Sequence, residues 1–299
     1  MEYNVRRTMK LLLSILMVLA LCSLAGGQTA DLVKADLVAD TQAIEPGKPF
    51  QVALHLTIAD GWHVYWINPG DAGAPTTLKL TLPKGFTAGP VQYPVPEKMP
   101  QPGNLTVYAY EHELLLTETI TPPADLFGST ITISANAGWC VCNPEKCVLG
   151  KKDLSLDLPV AKTMAQATNQ ELFAAWLPRM PAKSDEMFDD ISITFKYAIN
   201  GGIFTRLDGY QDLAFKWKGN PPATDFVWLP GPCDDLTVGA DSVTTLDRFT
   251  GVQLRAVPIQ GIVPTSSTLT GVLAYYPKAG SPRGVAVSVD RRKLYLPTP

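Results

Sequence analysis

The amino-acid sequence predicts an all-β protein, in which an immunoglobulin-like antiparallel sandwich is followed by a second β-sandwich domain. Apolar residues alternate over short segments, as at Phe50, Val52, Leu54 and Leu56, which is the period of a strand with one buried face. The chain has 23 Gly and 26 Pro but only 18% charged residues, a composition typical of short strands joined by turns. Strands at this spacing, without a long helical period, are typical of immunoglobulin-like sandwiches.

The first 25 residues have the organisation of a secretory signal peptide. Three basic residues lie within the first ten positions, an apolar segment occupies 11–21, and small residues follow up to Ala25. The apolar segment is too short to cross a bilayer comfortably. We therefore expect export to the periplasm, with cleavage after Ala25.

The charge of the remaining chain excludes one class of partner. The signal peptide takes three basic residues and one acidic residue from totals of 25 and 28, which leaves 22 and 27 and a net charge of −5. Nucleic acid is therefore not an expected partner, because its binding depends on an excess of basic side chains. Beyond the signal peptide, no segment reaches the roughly 18 apolar residues that a membrane helix needs, so no direct membrane span is expected.

The chain divides by composition into two predicted domains and a connecting segment. Residues 26–160 contain short strand candidates separated by turns, and residues 187–299 show the same pattern. Between them, residues 161–186 are interpreted as a linker with a short helix at about 169–177, which Pro178 must end. Further strand candidates are 77–82, 114–120, 130–135, 191–197, 213–218, 225–229, 251–259, 269–276 and 285–289.

Three of the five cysteines, Cys140, Cys142 and Cys147, lie close together and are called the cysteine cluster below. Closing the short loop between Cys142 and Cys147 would stabilise the fold by only about 2 kcal/mol, against about 5 kcal/mol for a loop of about 100 residues. The intervening Asn143-Pro144 favours a turn, which makes this pairing geometrically easy. Pairing Cys140 with Cys142 is less favourable, because alternate strand residues lie at the limit of disulfide reach. The pattern is compatible with a structural disulfide, redox exchange or metal binding.

Other interpretations of these residues stay open at the level of sequence. Three thiolates, with His63 or His112 nearby, suit Cu(I), so a copper-binding or copper-protective protein is one alternative. A non-catalytic interaction module with a structural disulfide is another. Cys233 lies in a loop after an apolar strand and either bonds to Cys140 or stays a buried thiol.

Three separated motifs carry a resemblance to a known family. They are GWHVYWINPGDAG at 61–73, YAYE at 108–111 and GWCVCNPEKC at 138–147. In this order they resemble the periplasmic N-terminal domain of the thiol:disulfide interchange protein DsbD, and more closely its variant in the copper-sensitivity suppressor ScsB. The resemblance covers residues 31–160. The sequence has no counterpart of the transmembrane and thioredoxin-like domains that complete those proteins.

The resemblance implies an immunoglobulin-like domain with one redox-active pair, Cys142 and Cys147. It implies a membrane thiol reductase as the electron donor, a periplasmic thioredoxin-like protein as the acceptor, and no cofactor or resident metal. A loop that shields the pair in this family corresponds to Tyr108, Tyr110 and Glu111. Cys140 is extra to the family pattern, as a possible third thiol.

Overall fold

The computed structural model confirms the all-β class. The described part of the chain contains 18 strands and two short α-helices, arranged in four sheets. None of the described helices is long and apolar enough to cross a membrane. The predicted signal peptide lies outside the described residues. The structure describes residues 32–161, 164–200, 203–233, 236–258 and 268–290.

The first ten strands form an immunoglobulin-like sandwich of two antiparallel sheets. One sheet has the order β1-β2-β8-β5, and the other has the order β10-β9-β3-β7-β6, with β4 also paired to β9. The strands are β1 (Val33–Ala39), β2 (Phe50–Ile58), β3 (His63–Gly70), β4 (Thr77–Thr81), β5 (Thr87–Ala88), β6 (Glu97–Gln101), β7 (Leu105–Glu111), β8 (Glu113–Thr121), β9 (Thr130–Cys142) and β10 (Cys147–Pro159).

The core of this sandwich lies between the inner faces of its two sheets. Alternate residues of β2, including Val52, Leu54 and Leu56, are fully buried there, as their spacing predicts. In β3, Val64 and Trp66 also belong to this core, whereas the intervening residues face the other side of the sheet. The six-stranded sheet therefore has an outer face whose side chains are separate from the main core.

A short helical segment connects the two halves of the chain. Helix α1 spans Gln170–Trp176, within the predicted 169–177, and a 3-10 turn at Leu177–Arg179 follows it. Trp176 is buried in the core of the first sandwich, and the Arg179 guanidinium lies 4.3 Å from the centre of its ring. Helix α2 (Ser184–Met187) then leads into the following strands. The segment is thus packed against the first sandwich.

The remaining strands form a further β domain of two four-stranded sheets, in the orders β11-β18-β17-β14 and β12-β13-β16-β15. Its core is rich in aromatic side chains, with Phe215 and Trp217 fully buried, and Trp217 Nε1 donates a hydrogen bond to Thr250 Oγ1 at 2.9 Å. The strands are β11 (Ala182–Lys183), β12 (Phe188–Asn200), β13 (Ile203–Trp217), β14 (Phe226–Pro230), β15 (Leu236–Leu246), β16 (Phe249–Pro258), β17 (Thr268–Tyr275) and β18 (Arg283–Asp290).

Two hydrogen bonds and a shared apolar cluster hold the second domain against the first. Asn68 Nδ2, at the end of β3, donates to the carbonyl oxygen of Pro230 at 2.9 Å. Tyr276 OH donates to the carbonyl oxygen of Pro96 at 3.1 Å. Three residues of β14 and β17 extend the apolar core of the first sandwich: Leu229, Val272 and Ala274. The second domain therefore buries part of the surface of the first.

A substitution in the β9–β10 hairpin tests how tightly the core supports this part of the sheet. Gly150 lies directly opposite Trp139, and a Cβ atom at position 150 would overlap with the indole ring of Trp139. Gly150→Ala should therefore lower the free energy of unfolding by about 1–3 kcal/mol, because a buried ring must move. Urea denaturation measures this change.

Gly219→Ala is the matched control. A Cβ atom at Gly219 meets nothing within 4 Å, so this variant should unfold within about 0.5 kcal/mol of the unsubstituted protein. Equal stabilities for the two variants would contradict the close packing of Trp139 on Gly150.

Candidate functional site

The cysteine cluster lies at the turn end of the β9–β10 hairpin. Cys142 is the last residue of β9 and Cys147 the first of β10, and the two are directly opposite in register. The turn between them closes through a hydrogen bond from Asn143 N to the Lys146 carbonyl oxygen at 3.0 Å. The Asn143 side-chain oxygen also accepts from the backbone N–H groups of Glu145 and Lys146, at 3.0 and 2.9 Å. This turn brings the two sulfurs together.

A disulfide joins Cys142 to Cys147, with an S–S distance of 2.02 Å. Its two ends differ in accessibility, because Cys142 is only 2% exposed whereas Cys147 is an exposed residue. Cys140 and Cys233 are not in disulfides, so the suggested bond between them is not present. Cys147 is therefore the end of the disulfide that faces solvent.

The disulfide belongs to a row of side chains on the outer face of the six-stranded sheet. In register, Cys147 is opposite Cys142, Cys142 is opposite His63, and His63 is opposite Glu111. Directly opposite residues of antiparallel strands point to the same face. An apolar cluster separate from the main core surrounds this row. It consists of Tyr65, Val107, Ala109, Cys140 and Cys142, with Ala74 and Met99 partly buried against it.

Cys140 lies beside the disulfide as a buried thiol. Its Sγ atom is 3.6 Å from Cys142 Sγ, and the residue is only 5% exposed. Burial raises the pKa of the Cys140 thiol above its usual value of 9.0, and a backbone hydrogen bond from Ala74 offsets part of that rise. The group is therefore a neutral thiol near pH 7. It is close enough to donate its S–H to the sulfur of Cys142.

His63 and Tyr65 form a buried polar pair next to the sulfurs. His63 Nε2 and Tyr65 OH are hydrogen-bonded at 3.2 Å, and the two rings meet edge to face with centroids 5.1 Å apart. Burial lowers the pKa of His63, and the opposing effect of Glu111 is smaller. Burial, followed by the nearby Cys140, raises the pKa of Tyr65 to about 12. Both rings are thus uncharged at neutral pH.

The histidines suggested as metal ligands do not join the sulfurs. Within the described residues, the group of potential metal ligands that lie together consists of Cys140, Cys142 and Cys147, whose Sγ atoms are all within 4.8 Å of one another. His63 is bound to Tyr65, and His112 lies 3.4 Å from an Asp60 carboxylate oxygen at an exposed position. The structure therefore brings together an all-sulfur cluster.

The prediction that Tyr108, Tyr110 and Glu111 form a loop over the pair is wrong. All three lie in strand β7, which pairs with β3. Because side chains alternate along a strand, Tyr108 and Tyr110 point to the inner face, away from the cysteines. Tyr110 is buried and donates to the Pro94 carbonyl oxygen at 2.7 Å. Glu111 alone shares the face of the disulfide, and a shielding role for it stays a prediction.

Lys146 supplies a contact that the sequence did not indicate. Its ammonium group lies 5.6 Å from the centre of the Trp62 ring, where the negative face of the indole attracts a cation. The contact connects the exposed turn of the hairpin to the residue immediately before β3. The turn that carries Cys147 is thereby held next to the rest of the sheet.

Comparison with known proteins agrees with this geometry. Residues 29–159 match the family model of the N-terminal domain of the thiol:disulfide interchange protein DsbD. The described part of this range, residues 32–159, forms a DsbD N-terminal-like domain. No curated protein matches the chain in sequence.

A solved structure shares the fold over most of the chain. The crystal structure of the N-terminal periplasmic domain of ScsB from Proteus mirabilis superposes with a TM-score of 0.59 at 15% identity, covering 87% of this chain and 94% of that one. The reduced DsbD N-terminal domain of Neisseria meningitidis covers 47% of this chain and 93% of its own, with 13% identity and a TM-score of 0.26. The ScsB match includes the further β domain as well as the DsbD N-terminal-like domain.

The ring of Tyr65 should control the chemical accessibility of Cys140. In the oxidised protein carrying Cys22→Ser and Cys233→Ser, Cys140 is the remaining thiol, so alkylation by a maleimide reports on it alone. Tyr65→Ala should raise the alkylation rate about tenfold, because the buried thiol gains access to solvent. Tyr65→Phe keeps the ring and should leave the rate near that of the parent. Equal rates for both substitutions would show that Tyr65 does not cover the thiol.

Acid should destabilise the protein through His63. Burial lowers the pKa of this imidazole below 6.5, so on acidification the unfolded chain takes up a proton before the folded chain does. For this group, stability is fully present above about pH 6.5 and is lost as the pH falls below that value. His63→Gln removes the titration and should give a shallower decline in urea-unfolding free energy between about pH 7 and 5. An unchanged decline would contradict a neutral, buried His63.

Proposed function

We propose that the chain is a periplasmic thiol–disulfide exchange module that relays electrons through Cys142 and Cys147. The observation that carries this proposal is the unequal exposure of one local disulfide, with Cys147 open to solvent and Cys142 buried. The match of residues 29–159 to the DsbD N-terminal family supports the same chemistry. A membrane thiol reductase is the proposed electron donor, and a periplasmic thioredoxin-like protein is the proposed acceptor.

Reduction of the module begins at its exposed sulfur. A thiolate of the donor attacks Cys147 Sγ, the Cys142–Cys147 bond breaks, and Cys142 leaves as a thiolate that is then protonated. A second thiolate of the donor attacks the donor sulfur of the mixed disulfide and releases Cys147. The donor is now a disulfide and the module a dithiol, so two electrons have been transferred.

Delivery of these electrons reverses the roles of the two cysteines. The Cys147 thiolate attacks the disulfide of the acceptor and forms a mixed disulfide, while the other acceptor sulfur leaves. Cys142 then attacks Cys147 Sγ, re-forms the original disulfide and releases the reduced acceptor. The S–H of Cys140, 3.6 Å from Cys142 Sγ, is positioned to stabilise the Cys142 thiolate by a hydrogen bond.

The buried position of Cys142 makes the order of attack testable by trapping. In a Cys140→Ala background, Cys142→Ser keeps the exposed Cys147 thiol but removes the neighbouring thiols that could resolve a mixed disulfide, so it should accumulate a mixed disulfide with a thioredoxin-like acceptor. Cys147→Ser in the same background is the matched variant, and it should trap far less because Cys142, the remaining thiol of its cluster, is buried. Non-reducing gel electrophoresis after acid quenching measures both products. Greater trapping by Cys147→Ser would show that Cys142 makes the attack, which would contradict the proposed order.

The reduction potential separates exchange from a purely structural disulfide. Equilibration in graded thiol buffers, followed by alkylation, measures the reduction potential of the pair. We expect a value above about −300 mV, because structural disulfides have potentials below about −300 mV. A pair that stays oxidised below about −300 mV would exclude electron relay and favour an interaction module with a disulfide staple. That module would retain partner binding after both cysteines were replaced.

A further inference from the structure

Cys140 is the part of the cluster that two-cysteine exchange does not require. The residue is buried, and its sulfur lies 3.6 Å from Cys142 Sγ. It also lies within 4.8 Å of Cys147 Sγ. An ordinary core position would be filled equally well by Ala or Val. The placement of a third sulfur beside a reducible disulfide therefore calls for a separate explanation.

The geometry of the three sulfurs suits a shared metal ion. Cys140 and Cys142 are alternate residues of one strand with side chains on the same face, an arrangement that disfavours a bond between them. Three thiolates at about 2.3 Å from one ion lie roughly 4 Å from each other. The separation of 3.6 Å between Cys140 and Cys142 is close to that value. Reduction breaks the bond between Cys142 and Cys147 and leaves the Cys147 sulfur free to move.

The chemistry of the donors selects the ion. Within the described residues, no histidine or carboxylate joins the three sulfurs, and apolar side chains such as Val107 and Ala109 lie around them. Structural Zn²⁺ sites almost always have four protein ligands in a tetrahedron. Soft thiolate ligands favour Cu(I), which a set of only three sulfurs can satisfy.

We propose that the reduced protein binds one Cu(I) ion through the thiolates of Cys140, Cys142 and Cys147. Binding forms three Cu–S bonds, displaces the three thiol protons to solvent and changes no oxidation state. In the oxidised protein the bond between Cys142 and Cys147 occupies two of the three ligands, so binding is limited to the reduced state. The inference shares with the proposed function only the requirement that this disulfide can be reduced.

Anaerobic titration with Cu(I) tests the site directly. The full chain is reduced with a phosphine, freed of the reductant by desalting, and titrated with Cu(I) in the presence of a competing chelator. We expect one Cu(I) per reduced chain, thiolate-to-copper charge-transfer absorption, and three sulfur neighbours at about 2.3 Å by X-ray absorption. The oxidised protein should lose copper to the chelator.

Substitutions distinguish a three-sulfur site from binding by the pair alone. Cys140→Ser should weaken Cu(I) binding at least about tenfold and leave two sulfur neighbours, because the hydroxyl is a hard ligand. Cys233→Ser lies outside the cluster and should bind as the parent does. Cys140→Ala gives the same test without a hydroxyl, and circular dichroism establishes that each variant is folded. Equal affinity in the parent and both Cys140 variants, or two sulfurs in the parent, would overturn the proposal.

The trapping experiment with the same Cys140 variants keeps the two functions separate. If mixed disulfides still form while copper binding is lost, the metal site depends on the third thiol and exchange does not. If the parent binds copper but the Cys142→Ser variant traps no acceptor, the exchange proposal fails and the metal site stands. If the parent exchanges but releases copper to the chelator as readily as the oxidised protein does, the metal site alone is rejected.

Discussion

The two-residue period of strand β9 is the constraint on which the site depends. Trp139 and Val141 point inward and are buried in the main core, and Cys140 and Cys142 consequently point outward. A shift of register by one residue would exchange these two sets and place both sulfurs in the core. The packing of Trp139 and Val141 in the main core therefore determines which face of the sheet carries the two sulfurs. The Gly150 position opposite Trp139 connects this packing to β10 and hence to Cys147.

The outer face of the sheet gives the sulfurs an environment that a solvent-exposed hairpin would lack. Tyr65 and His63 are buried beside Cys140 and Cys142, and burial keeps both of their rings neutral at pH 7. When Cys142 leaves as a thiolate, the S–H group of Cys140 is close enough to donate a hydrogen bond to it. Because Cys142 is buried, water has little access to this thiolate. Cys147 alone meets solvent. The hairpin therefore combines a solvent-exposed sulfur, that of Cys147, with a buried one, that of Cys142.

The sequence predicted the fold class and the disulfide because both have short-range causes. Alternating apolar residues such as Val52 and Leu54 are readable along one strand, and Asn143-Pro144 turns the chain within four residues. The assignment of Tyr108 and Tyr110 to a loop failed because it was transferred by position, whereas pairing of β7 with β3 is a long-range contact. Strand β10 was not among the strand candidates, although Leu154, Leu156 and Leu158 alternate with exposed residues there, as in a strand with one buried face.

The second domain contributes to a cleft on the surface of the first. Glu111 lies two strands across the sheet from Cys142 and also lines a cleft of about 480 Å³, with Arg179 of the connecting segment and Pro282 of the second domain in its wall. Burial and then Glu111 raise the pKa of Glu97 in this cleft, and Arg179 opposes the rise. The cleft therefore has a mixed lining, in which three carboxyl groups lie near Lys98 and Arg179, and residues of both domains form its wall. The hydrogen bonds of Asn68 and Tyr276 hold the second domain against the first, and Pro282 of the second domain therefore stays in the wall of this cleft.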